Sequence, residues 1–211
     1  PATTPMTWDD FLALGAKAKA KGWYLENTTL TDWSEWVHTV HQAGGTVYND
    51  DKATTNMTKQ PCVDALTRWV KQYKEGFTAL EHAVATDDAA TRVPDYFKEG
   101  KQLIKIHFYN TDCQTVLKTD PTFPIKAGAP RQRTKNDKPY AGLTSGNGWA
   151  MTTSSKQKQA AGEWIKWMQT PENMAEWCNL SIKTPPSAKA QALWKPDPCV
   201  KEFMDRNAQY Q

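Results

Sequence analysis

Residues 140–167, reading YAGLTSGNGWAMTTSSKQKQAAGEWIKW, restrict the possible folds of this chain more than any other stretch. A Gly/Ser/Asn-rich turn leads into Trp149-Ala150-Met151, an apolar run short enough to read as a strand. The hydroxyl run Thr152-Thr153-Ser154-Ser155 then supplies candidate N-caps, because a side-chain oxygen there accepts a hydrogen bond from a first-turn N–H. Ala160, Ala161, Trp164, Ile165 and Met168 follow at the spacing that lays one stripe of a helix against a core. Thr170-Pro171 ends that helix and opens another, since proline fits the first helical position and no interior one.

The rest of the chain extends the pattern. Thr7 and Asp10 form a capping-box-like pair, with Asp in the place of the usual Glu or Gln. Trp8, Phe11, Leu12, Gly15 and Ala16 then repeat with helical period until Gly22. Trp23-Tyr24-Leu25 reads as a short buried strand. Thr31 is placed to cap a second helix with the stripe Trp33, Trp36, Val37 and Val40, stopped by Gly44-Gly45. Residues 46–57 read as a hairpin turning at Asn49-Asp50-Asp51. Pro61 opens a third helix that puts Cys62, Leu66, Trp69, Val70 and Tyr73 on one face and ends at Gly76. Residues 77–93 read as loop, Pro94 to Gly100 as a short helix, and 102–108 as a strand alternating Ile104, Ile106 and Phe108 with Leu103, Lys105 and His107. From 109 to 139 the pattern dissolves: Asp120-Pro121, Phe123-Pro124 and Ala129-Pro130 break any helix, and 131–138 is charged and expected to be exposed.

Composition narrows function. Twenty-six basic against twenty-three acidic residues leave a net charge of +3 without any long Lys/Arg block, too mild to argue for nucleic acid. The longest apolar run is far short of a membrane span. Cys62, Cys113, Cys178 and Cys199 lie far apart with no C-x-x-C pair, which argues against zinc and leaves either two disulfides or free buried thiols. His38 and His41 make an H-x-x-H pair without further ligands nearby. Asp50-Asp51 and Asp87-Asp88 fall in turns or helix starts, where Asp is ordinary. No G-x-S-x-G, Walker loop, H-E-x-x-H or Rossmann glycine fingerprint occurs, so neither catalytic residues nor a cofactor nor a metal is expected. Ten Trp are the unusual number, serving either cores or flat ligand platforms.

The order of blocks resembles the extracellular solute-binding proteins of ABC importers, in particular the sugar-binding group that includes maltose-binding protein. The blocks are Thr7-Trp8-Asp9-Asp10-Phe11, Gly44-Gly45, Asp95 to Lys101, the Gly-rich segment with Ser154-Ser155-Lys156 and its two helices, and Thr184-Pro185-Pro186-Ser187. The resemblance implies a type II periplasmic-binding-protein-like α/β fold with two lobes, here truncated at both ends. Residues 1–120 and 184–211 would share lobe 2, and 121–183 would belong to lobe 1. It implies capture of a solute, favouring a carbohydrate, in an interlobe cleft and delivery to the membrane subunits of an ABC permease. The protein would be a monomer, periplasmic or extracellular, held at the cell envelope as a lipoprotein. The alternative is a secreted carbohydrate-active enzyme or a non-catalytic carbohydrate-binding domain.

A sugar site needs aromatic faces for the apolar side of a pyranose and planar amides or carboxylates for its hydroxyls. Asp32, Trp33 and Trp36 at the second helix and His107, Tyr109 and Asn110 at a strand end lie where the family's matching regions face the cleft. Gly146, Asn147 and Trp149 would face them from the other lobe. Trp33 and Trp36 also fit their helix's own stripe, and Trp149 could instead fill a core. Trp69, Trp164, Trp167 and Trp177 read as packing residues. Residues 140–180 are expected to leave apolar area exposed.

Overall fold

A computed structural model of the chain describes residues 4–27, 33–80, 95–105, 116–140, 148–181, 183–208 and 210. The chain forms two compact units. Unit 1 comprises Pro1–Phe108, Pro124–Leu143 and Phe203–Gln211, and unit 2 comprises Tyr109–Phe123 and Thr144–Glu202. The described elements, in order, are β1 (Met6–Thr7), α1 (Trp8–Lys19), α2 (Trp33–Gln42), α3 (Gln60–Lys74), β2 (Arg131–Gln132), α4 (Lys158–Met168), α5 (Pro171–Ser181), α6 (Ala188–Leu193) and α7 (Pro198–Ala208).

Unit 1 begins as its caps dictate. Thr7 Oγ1 accepts from the Asp10 amide at 3.2 Å and donates to the Asp10 carboxylate at 2.7 Å, closing the first turn of α1. Gly44 takes a φ of 75° to end α2, a left-handed conformation that glycine adopts without strain. The 46–57 hairpin forms, bridging Tyr48 to Thr55 with its turn closed by Asp51 Oδ1, which accepts from both the Ala53 and the Thr54 amide. Helices α2 and α3 pack together, burying Trp8, Val40, Ala43, Val47, Cys62 and Ala65 in one cluster, while Phe11, Leu25 and Phe77 form a second. Gly15 is a contact requirement: a Cβ there would lie 2.6 Å from the Phe77 ring.

The buried face of α3 differs from the apolar stripe expected of it. Cys62 and Trp69 are buried, but so are Arg68 and Gln72, whereas Leu66 is 53% exposed and Val70 also faces solvent. The reason lies beneath the helix. Glu26 is fully buried and accepts from Gln72 Nε2 at 2.5 Å and from Arg131 Nη1 at 2.9 Å, with Arg68 Nη2 3.6 Å away. A buried carboxylate requires counter-ions and donors, and α3 turns its polar residues inward to supply them. Arg131, expected in an exposed charged loop, therefore enters the core, its guanidinium 4.4 Å from the Phe11 ring centre. It also starts β2, which pairs in parallel with β1, Met6 opposite Arg131 and Thr7 opposite Gln132.

Two other expected elements are reduced. Tyr24 makes only an isolated parallel bridge to Gln102. Residues 95–100 form a turn, closed by the Lys101 amide donating to Tyr96 O, in place of a short helix. Residues 81–94 and 106–108 of the expected loop and strand lie outside the described residues.

Unit 2 is helical among its described residues. Trp149-Ala150-Met151 is not a strand, because no described segment offers it a ladder to join. The cap of α4 falls at Gln157, two residues after the hydroxyl run, and Ser155 Oγ accepts from the Gln157 amide at 3.2 Å. Helices α4 and α5 pack together, as do α5 and α6, around Met174, Cys178 and Ala190. Trp177 packs there as expected, and Trp69 in unit 1 is likewise buried. Trp164 and Trp167, expected to pack, are 47% and 56% exposed, and Met151 and Leu180 join them in presenting apolar surface. Cys62 and Cys178 are free and buried, while Cys199 is disulfide-bonded, so the four cysteines do not form two disulfides.

Candidate ligand-binding site

The exposed start of α2 is the described part of the expected sugar site. Trp33 occupies the first helical position and is 72% exposed, off the core despite fitting the stripe. Trp36 lies one turn on, half-buried against the Trp8–Val40 cluster, and its indole N–H is buried without a hydrogen-bond partner among the described residues. Residues three apart on a helix are neighbours, so the two rings share one end of α2. The helix beyond Trp33 is fixed in place: Val40 is fully buried, Thr39 Oγ1 donates to Glu35 O at 3.0 Å, and Trp69 Nε1 donates to Thr39 Oγ1 at 3.2 Å. A rigid helix with an exposed indole at its end is a platform for a flat apolar face.

The H-x-x-H pair is engaged with an aromatic residue. His38 Nε2 lies 3.2 Å from Tyr140 O, and the His41 ring stacks on the Tyr140 ring at 4.9 Å. Among the described residues no group of three His, Cys, Asp or Glu could hold a metal ion. Trp149 packs edge-to-face on Trp164 at 5.4 Å and on Trp177 at 5.2 Å, against the Met174–Cys178 cluster. Asp32, His107, Tyr109, Asn110, Gly146 and Asn147 lie outside the described residues. A small cleft beside Cys178, Trp194 and Val200 has about 20 Å³ of room, enough for a water and too little for a sugar ring.

Sequence reasoning missed the engagement of Tyr140 and the buried Glu26–Arg68–Arg131 group. Glu26 and Arg131 are 105 positions apart, and no local pattern links them. Burial pulls the Arg68 pKa down, the Arg131 cation adds to this, and Glu26 and Glu35 oppose it, leaving the value at about 9.

The family model described as bacterial extracellular solute-binding protein matches residues 1–202, and the chain belongs to that family. Solved structures with the same fold include a chitin oligosaccharide binding protein, at 20% identity and a TM-score of 0.67, covering 97% of this chain and 53% of that one. The sugar-binding protein MalE from Xanthomonas citri matches at 17% identity and a TM-score of 0.66, covering 97% and 52%. A cyclic alpha-maltosyl-1,6-maltose binding protein from Arthrobacter globiformis matches at 17% identity and a TM-score of 0.59, covering 97% and 53%. The fold is thus that of the periplasmic solute-binding proteins, and the chain spans about half the length of these structures. The family and these structures are binding proteins. No curated protein sequence matches the chain.

Proposed function

We propose that this chain is part of the substrate-binding component of an ABC importer, taking up a carbohydrate and handing it to the permease subunits in the membrane. One feature of the α2 end carries this reading: the Trp33 ring is exposed at the first position of a helix whose remaining stripe is held in the core. A pyranose can lay its apolar face on that ring, and because the helix holds the ring in place little ordering is lost on binding. The names of the similar structures, each an oligosaccharide or sugar binder, support the same ligand class. Asp32, His107, Tyr109 and Asn110 complete this side of the proposed site, and Gly146, Asn147 and Trp149 are the proposed contacts from lobe 1. The proposed lobe assignment is 1–120 with 184–211 in lobe 2 and 121–183 in lobe 1.

The protein is proposed to act as a monomer, in the periplasm or outside the cell, tethered to the envelope as a lipoprotein. The disulfide at Cys199 supports an oxidising compartment. Titration calorimetry with chito- and malto-oligosaccharides tests the proposal. Saturable heat with one series and loss of affinity in Trp33→Ala are expected, and no heat with any sugar overturns the carbohydrate reading.

A further inference from the structure

Residues 131–140 lie on unit 1 as a strap, and its attachments are uneven. The two-residue pairing of β2 with β1 is minimal, and the Trp8 amide reaches Arg133 O only at 3.4 Å. Arg133 meets Asp64 at 3.2 Å and Asp137 at 3.4 Å, ion pairs that are part-exposed and of small worth in water. Tyr140 rests on His38 and His41. Arg131 alone of these reaches a fully buried partner, Glu26.

Beside that pair sits a second cation with much to gain. The Arg68 side chain is 3% exposed, between the rings of Trp8 and Phe11, and none of its guanidinium N–H groups makes a hydrogen bond among the described residues. Unsatisfied buried donors are rare and mark a place where structure is held short of its best pairing. Glu26 Oε1 is occupied by Gln72 and Oε2 by Arg131, so Arg68 stands 3.6 Å off, repelled by the other cation.

We infer that Glu26 is a two-position latch: Arg131 holds its carboxylate while the strap is seated, and Arg68 takes it when the strap lifts. The buried carboxylate is then never left without a counter-ion, and the price of release is the difference between two Arg–Glu pairs rather than an orphaned charge. Residues 131–140 can therefore detach and reseat as a local opening while α1 and α3 stay folded.

Native-state hydrogen exchange read by mass spectrometry tests the latch on the protein and two variants. Arg68→Met removes the rival and its repulsion and leaves Arg131 as the cation paired with Glu26, so strap amides should exchange more slowly by at least about tenfold, the scale of one charge-assisted hydrogen bond. Arg131→Met should free the strap while peptides from α1 and α3 keep their protection, because Arg68 closes on Glu26. Faster strap exchange in Arg68→Met, or loss of protection across α1 and α3 in Arg131→Met, overturns the inference. If Arg68→Met does not fold, the Arg131→Met result decides alone.

Discussion

Glu26→Ala should be among the most damaging single changes in unit 1. It removes the carboxylate that faces two arginines, Arg68 with 3% and Arg131 with 13% of the side chain exposed, and so leaves two cations in a pocket walled by Phe11 and Trp8. Breaking a buried ion pair by deleting one partner costs about 3–5 kcal/mol, because the other partner stays desolvated. Gln72 also loses its acceptor at 2.5 Å but keeps Thr78 Oγ1 at 3.0 Å, so it adds little further loss. Against a typical total of about 5–15 kcal/mol, such a loss removes a third or more of the stability. The assay is equilibrium urea unfolding followed by circular dichroism, with hydrogen exchange of α1 and α3 peptides to assign the transition to unit 1. A midpoint shift worth less than about 1 kcal/mol with unchanged slope would refute the reasoning, since the cluster would then be no stronger than a surface pair.

Trp69→Ala removes a buried ring whose indole donates to Thr39, and should lower unfolding stability by about 3–5 kcal/mol in the same urea assay. Trp33→Ala, at an exposed position, should change stability by no more than about 0.5 kcal/mol, which separates a binding role from a packing one. Gly15→Ala drives a methyl against the buried Phe77 ring and should cost about 1–3 kcal/mol, read as a fall in thermal midpoint. The Cys62 and Cys178 thiols are pushed up from 9.0 by burial. They should resist a thiol reagent at neutral pH and react when denatured. Their share of stability is fully present below 9.0 and is lost as pH rises through their folded values.

Local signals were the legible ones. The Thr7–Asp10 cap, the stop at Gly44, the hairpin near Asn49, the start of α3 near Pro61 and the start of α5 at Pro171 each rest on chemistry within a few residues, and each is where the sequence places it. Periodicity failed where burial was decided at long range. On α3 the stripe through Leu66 and Val70 is more apolar than the face through Arg68 and Gln72, yet the latter is buried because Glu26 waits beneath it. Nothing near Arg131 announces its descent into that core. The strand expected at Trp149 needed a ladder partner, which an apolar run cannot specify by itself, and the residue instead packs on Trp164 and Trp177. At the candidate site, the sequence fits Trp33 and Trp36 both to a core and to a ligand platform. Exposure distinguishes them: Trp33 is open, and Trp36 is half-buried with its N–H unpaired.

The proposed sugar contact at the α2 end meets its sharpest test in titration calorimetry of the protein and Trp33→Ala against the oligosaccharide that binds best. Losing a stacked ring removes about 1–3 kcal/mol, so the account predicts binding weakened by about tenfold or more with folding unchanged. Equal affinity in the two proteins would contradict it.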